Sequence, residues 1–247
     1  MQSSWPELLR MAVNEPGVIS AAYHAFWPYS AGNQALAAYQ CRARGMIPGP
    51  ISTYRGWQQK GRQVKKGAKA ISLWMPVSYT KMEKDKTGQD KPVLHSYFVV
   101  KSHWFVITET DGEPYAEPAI PGWDLDKALA AFDYIRIPFE LADGNTQGYA
   151  VGTAIAINPV ARHPEKTCIH EIAHILLDHT IDPNMAPALK EAEAESVAML
   201  VADALGIPGV AESRGYLQSW WGAGNEIPAE SAQRIFGAAD KILKAGR

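Results

Sequence analysis

Five residues, His170-Glu171-Ile172-Ala173-His174, have types and spacing suited to metal-assisted hydrolysis. Side chains four apart on a helix share a face, because a turn takes about 3.6 residues. Two imidazoles so placed bind one metal ion. Glu171, beside His170, then reaches a water in the ion's open position and takes its proton. The context is helical: Pro164 suits a first turn, and Ile169, Ile172, Ala173, Leu176 and Leu177 form an apolar stripe. A core helix with two incidental histidines would strand Glu171 beside a buried imidazole pair.

A catalytic zinc takes a third protein ligand. Glu191, Glu193, Glu195 and His179 are the candidates. The segment 187–206 starts with Pro and ends with Gly, and its periodicity predicts a second helix. Glu191, Glu195 and Ala198 fall on one edge of it, while Glu193 is rotated about 200° from Glu191 and is expected to face water. Glu191 is therefore the expected ligand. Glu195, one turn on, is expected to orient a ligating histidine through its other ring nitrogen. His179 lacks the offset of the extended three-histidine motif and reads as structural, near a helix end where a cation is favoured.

The elements that must position these residues belong to a chain of 247 residues with net charge −2. That length allows one large or two small domains. Two cysteines, Cys41 and Cys168, are too few for a disulfide framework and suit a reducing compartment. Neither a basic, apolar leader nor a run long enough to span a bilayer is present, so the expectation is a cytoplasmic protein with no membrane partner. The net charge hides an asymmetry. Residues 1–108 carry 14 Lys+Arg against 5 Asp+Glu; residues 109–247 carry 10 against 21. The split predicts two modules with different partners. Between them, a stretch rich in Pro, Gly and acid reads as a linker at 111–121.

The basic half is expected to contain a helix over Asn33–Arg44, a short capped helix at 52–61, and a hairpin built from 70–79 and 93–108. From Arg42 to Lys91 there are 12 basic and 3 acidic residues, and Tyr54, Trp57, Trp74, Tyr79 and, just beyond, Tyr97 are interleaved with them. Basic side chains track phosphates and aromatic faces stack on exposed bases, which is what single-stranded DNA requires. Arg55, Trp57, Lys60, Arg62, Lys65, Lys66 and Lys69 are the candidate contacts. The competing reading is a solvated basic surface over a core that uses the aromatics.

The run Tyr54-Arg-Gly-Trp57-Gln-Gln-Lys-Gly61-Arg-Gln-Val64-Lys65-Lys66-Gly67-Ala-Lys69 resembles the N-terminal domain of ArdC-type antirestriction proteins. In the second half, His170-Glu171-x-x-His174 with Glu191-x-x-Ala194-Glu195-x-x-Ala198 resembles ArdC and the ImmA/IrrE-type peptidases. Asn158-Pro159 and Tyr216-Leu-Gln-Ser-Trp220 fit the same resemblance. It implies an accessory protein of mobile DNA that joins a single-stranded-DNA-binding domain to a zincin-like, gluzincin-type metallopeptidase domain, with Glu191 as third ligand.

The resulting expectation is an α+β fold in two domains. Residues 1–110 form a mixed helix and twisted-sheet domain for single-stranded DNA. Residues 122–247 form a zincin-like metallopeptidase domain, with a first helix over Leu125–Ile135 and a strand over Tyr149–Ile157. Zn²⁺ held by His170, His174 and Glu191 would polarise a peptide carbonyl; Glu171 would be the base and Tyr216 an oxyanion donor. An edge strand beside the metal would hold the peptide substrate. Two other readings stay open at this point: a peptidase acting on a repressor or DNA-bound protein, targeted by the basic domain, and a DNA-binding protein whose metal is structural.

Overall fold

A computed structural model describes residues 4–85, 88–140 and 145–247. In chain order its elements are α1 (Trp5–Asn14), α2 (Val18–Phe26), α3 (Ala31–Ala43), β1 (Ile51–Thr53), α4 (Tyr54–Gln59), β2 (Arg62–Val64), β3 (Ile71–Lys84), β4 (Asp90–Val106) and β5 (Thr110–Gly112). There follow α5 (Leu125–Ala131), β6 (Ile135–Arg136), β7 (Gly148–Val151), β8 (Ala154–Ile157), α6 (Pro164–Leu176), α7 (Pro187–Leu205), α8 (Val210–Gly222) and α9 (Ala229–Ala245). By packing, the chain divides into two units: residues up to Tyr39 together with Glu117–Arg247, and Gln40–Ala116.

That division differs from a boundary at 110. The first helices belong with the C-terminal ones because their apolar faces are matched there. Ser4 and Glu7 cap α1 reciprocally, the Ser4 N–H donating to Glu7 Oε2 over 2.7 Å, and the helix buries Leu8, Leu9, Ala12 and Val13. It packs on α8 and α9, while α2 packs on α7. Arg214 on α8 locks the arrangement. Its buried guanidinium donates to the carbonyls of Ala12, at 2.8 Å, and Val13 at the end of α1. It also lies 3.9 Å from Asp203 on α7.

In the same unit α7 is the central helix, contacted by α2, α6, α8 and α9. A small sheet of order β6-β8-β7 packs against α6, with β6 parallel and β7 antiparallel to β8. The expected strand 149–157 is thus two strands. Gly152, at φ +59°, makes the tight turn between them. The expected helix 125–135 stops at Ala131, because Asp133 takes a left-handed conformation (φ +57°) and Ile135 joins the sheet. Gly148 permits β7 to approach α6: a Cβ there would stand 2.9 Å from Thr167 Cγ2 and 3.0 Å from the Ala156 carbonyl oxygen.

The second unit is built on the hairpin of β3 and β4, with β1 antiparallel to the base of β4, and a separate β2–β5 pair. Ile51, Trp57, Val64, Ile71, Leu73 and Val106 form its core. The end of α3 is tied to β3 by Gln40, whose amide donates to the Ser72 carbonyl (2.7 Å) and accepts from its N–H (2.9 Å).

No helix among the described residues is long and apolar enough to cross a membrane. Arg214→Ala leaves Asp203 and two carbonyls without their buried cation; urea unfolding should show a loss of about 3–5 kcal/mol. A loss within about 0.5 kcal/mol, the range of an ordinary surface change, would mean that α1 is not held by this contact.

Candidate metal centre

Helix α6 starts at Pro164, one of the few places where a missing N–H costs nothing. The helix is thirteen residues long and ends at Leu176, and its i, i+4 spacing puts Lys166, His170 and His174 on one face. That face meets α7. The ring nitrogens His170 Nε2 and His174 Nε2 are 3.0 Å apart. Glu191 comes from α7, with Oε2 3.3 Å from His170 Nε2 and Oε1 3.5 Å from His174 Nε2. One ligand atom from each of the three residues lies within 4.8 Å of the others. Donors about 2.0–2.1 Å from a tetrahedral ion stand about 3.3–3.4 Å apart, so these side chains fit a divalent metal with little adjustment.

Burial alone would push the His170 pKa down. The Glu191 and Glu195 carboxylates outweigh it and hold the imidazole at about 9. Reciprocally, bonds to His170 and His174 hold the Glu191 carboxyl far below its usual range. Burial would raise Glu195, but His170 and then Lys166 bring it to about 2. Its Oε2 is 2.9 Å from His170 Nδ1, and its Oε1 accepts from Lys166 Nζ over 2.6 Å. Lys166 also donates to Ser213 Oγ (2.9 Å). Lys166 escaped the sequence reading, although its place one turn before His170 was visible.

Glu171 is 7% exposed on the wall of a cleft of about 500 Å³. Burial raises its pKa, against the lowering effect of His170 and His174. Across the cleft runs β7, the edge strand of its sheet, through Gly148, Tyr149 and Ala150. Tyr216 on α8 is 42% exposed. Partial burial, with the charges of Glu191 and Glu195 nearby, pushes its hydroxyl pKa up.

Glu193 does not face water. It is fully buried, and its Oε2 lies 3.0 Å from Nε2 of a buried His179. The expectation failed because it assumed that α7 has a solvent side. The helix is instead enclosed by four others, and every residue from Ser196 to Ala202 is buried.

The DNA-contact candidates all fall in the second unit. Arg55, Lys60, Lys66 and Lys69 are exposed. Lys60 Nζ stands 5.0 Å over the rings of both Trp57 and Tyr115. Arg62 is spent on structure, donating to Thr110 Oγ1 (2.8 Å) and the Thr110 carbonyl (3.0 Å). Lys65 donates to the Thr108 carbonyl at 3.1 Å and pairs with Asp111 at 3.4 Å. Trp57 cannot stack on a base: it is fully buried and its Nε1–H donates to the Phe105 carbonyl over 2.8 Å. Exposed aromatics include Tyr54 on α4 and, on the hairpin, Tyr79, Tyr97 and Phe98. Tyr79 stacks on His95 (5.3 Å between centroids) and meets Tyr97 edge-on, on the face that carries Lys81 and Lys91.

An α+β chain with an H-E-x-x-H helix packed against a glutamate-bearing helix has the makings of a metalloprotein. Residues 11–105 match the family model of the N-terminal domain of anti-restriction factor ArdC. Among solved structures, the metal-free antirestriction protein ArdC from plasmid R388 shares the fold with a TM-score of 0.54 at 21% identity, over 98% of this chain and 94% of that one. The Mn(II)-bound structure of R388 ArdC aligns with a TM-score of 0.48 at 24% identity, over 88% and 82%. No curated protein matches the sequence. Residues 11–105 are thus similar to the N-terminal domain of anti-restriction factor ArdC, and the chain shares its fold with R388 ArdC.

A metal needs neutral imidazoles, so uptake at neutral pH must release the proton that His170 holds. Affinity for a divalent cation should rise by about tenfold per pH unit and level off near pH 9. Calorimetry in buffers of different ionisation heat counts the proton; zero released at pH 7 would refute the account. The sign for stability is opposite. With a raised folded-state pKa, the contribution of protonated His170 to the metal-free fold is complete below about pH 6.5 and fades as pH rises through about 9.

Proposed function

We propose that this chain is an accessory protein of mobile DNA that binds single-stranded DNA through its basic unit and carries a zinc-dependent peptidase site. The observation that carries the peptidase reading is Glu171, set in the cleft wall beside three converging ligands and opposite an edge strand. A purely structural zinc is closed by four protein ligands and has no use for a base. Here three donors border a cleft.

His170, His174 and Glu191 hold the ion, and Glu195 orients His170 through Nδ1. When bound, zinc supplies Lewis acidity to a substrate carbonyl and to water. A substrate peptide adds to β7 as a further antiparallel strand, which aligns its backbone along the cleft. Glu171 takes the proton of the attacking water and delivers it to the amine nitrogen as the C–N bond breaks. Its raised pKa suits both halves of that transfer. Tyr216 donates its O–H to the carbonyl oxygen as charge gathers there.

In the second unit, Arg55, Lys60, Lys65, Lys66 and Lys69 follow the phosphates. Tyr79 and Tyr97, rather than Trp57, offer the faces on which bases stack.

Glu171→Gln should keep one zinc per chain, measured by elemental analysis, and abolish cleavage of a random peptide library read by mass spectrometry. Undiminished cleavage by this variant would sink the mechanism. For DNA, fluorescence anisotropy of a labelled oligonucleotide bound to the full chain should weaken steeply with salt, by about 0.7 in the log–log slope per phosphate neutralised. Lys65→Ala with Lys66→Ala should flatten that slope. Tyr79→Ala with Tyr97→Ala should cost about 1–3 kcal/mol per base with the slope nearly unchanged. Equal affinity for duplex would rule out the single-strand assignment.

A further inference from the structure

Two buried ionisable side chains have no part in the chemistry above. His179 lies beyond the end of α6, and Glu193 is on α7; their side chains are 1% and 0% exposed. Glu193 Oε2 is 3.0 Å from His179 Nε2, and His179 Nδ1 is 3.1 Å from His174 Nδ1. The partners assign the protons. A carboxylate oxygen accepts, so His179 Nε2 carries a hydrogen. A neutral imidazole then has a bare Nδ1, which accepts from the Nδ1–H of His174. That leaves a lone pair on His174 Nε2, the atom that faces His170 and Glu191.

The segment that carries His179 is held in place. Lys190 donates to the His179 carbonyl (2.7 Å) and to that of Asp182, and Arg234 on α9 donates to the Leu177 carbonyl. Ser231 and Arg234 face the Glu193 carboxylate from the same helix.

We propose that Glu193 and His179 are positioning residues, a two-step relay of hydrogen bonds that fixes His174 in the tautomer able to bind a divalent metal through Nε2. The proposal rests on the metal reading of the site. His170 receives the same orientation in one step, from Glu195. His174 needs the intermediate because its Nδ1 meets a second imidazole in place of a carboxylate.

The test uses the full chain and zinc. His179→Phe keeps a ring of similar size but offers no acceptor, whereas His179→Asn retains an acceptor close to the position of Nδ1. Zinc affinity, measured by competition with a chromogenic chelator, should fall about ten- to hundredfold in His179→Phe and recover most of that loss in His179→Asn. In ¹⁵N-imidazole spectra of the metal-free protein, His174 should carry its proton on Nδ1 in the wild type and shift toward Nε2 in His179→Phe. A merely structural pair would change the melting temperature without moving that proton. Zinc affinity within twofold of wild type, with unchanged His174 shifts, would overturn the relay. Should His179→Phe fail to fold, His179→Leu and Glu193→Leu, each of which removes an acceptor of the relay, carry the same two readouts, and a wild-type zinc affinity and His174 pattern in both would overturn it equally. A wild type that takes up no zinc would instead defeat the metal reading, and the His174 shifts of the metal-free protein keep the two failures apart.

Discussion

The contact between α6 and α7 is the constraint on which the rest depends. It places three imidazoles, four carboxylates and a lysine in or beside an apolar helical core. An ion without a partner in such surroundings costs several kcal/mol. The interface tolerates them because they are paired in series: Lys166 with Glu195, Glu195 with His170, His170 and His174 with Glu191, and His174 through His179 with Glu193. Each link settles which atoms of the next group are free to act. The charges that would unfold an ordinary core are thus aimed at one point.

The surrounding architecture serves that aim. Four helices enclose α7 and fix its rotation, which decides whether Glu191 or Glu193 faces the cleft. The sheet against α6 supplies the opposite wall, and its edge strand is close enough only because residue 148 has no side chain.

Much of this was legible in the chain. Pro164 and Pro187 mark the starts of α6 and α7 and Gly206 the end of α7, since proline belongs in a first turn and glycine just past the last. The convergence of His170, His174 and Glu191 follows from i, i+4 geometry and helix rotation. The hairpin was visible in its β-branched and aromatic runs. What stayed hidden depends on neighbours. Periodicity places Glu193 correctly relative to Glu191 but says nothing of what covers it. Trp57, among basic residues, looks like a stacking platform, and only the Phe105 carbonyl beneath it reveals a core residue. The apolar stripe of α1 predicts burial without naming the partner, and the partner lies some two hundred residues away.

That last separation bears on how the molecule comes into being. Helices α1 and α2 leave the ribosome with Leu8, Leu9 and Phe26 uncovered, and the surfaces that cover them, on α7, α8 and α9, are made much later in the chain. Meanwhile the segment from Gln40 to Ala116 has a core of its own that needs none of those late helices. The order of synthesis therefore favours a nascent chain whose basic unit is complete while the helix pair of the metal centre has no central helix to form around. A chain cut short before α9 would keep the first module and leave the second with its apolar faces open, a target for chaperones or for degradation.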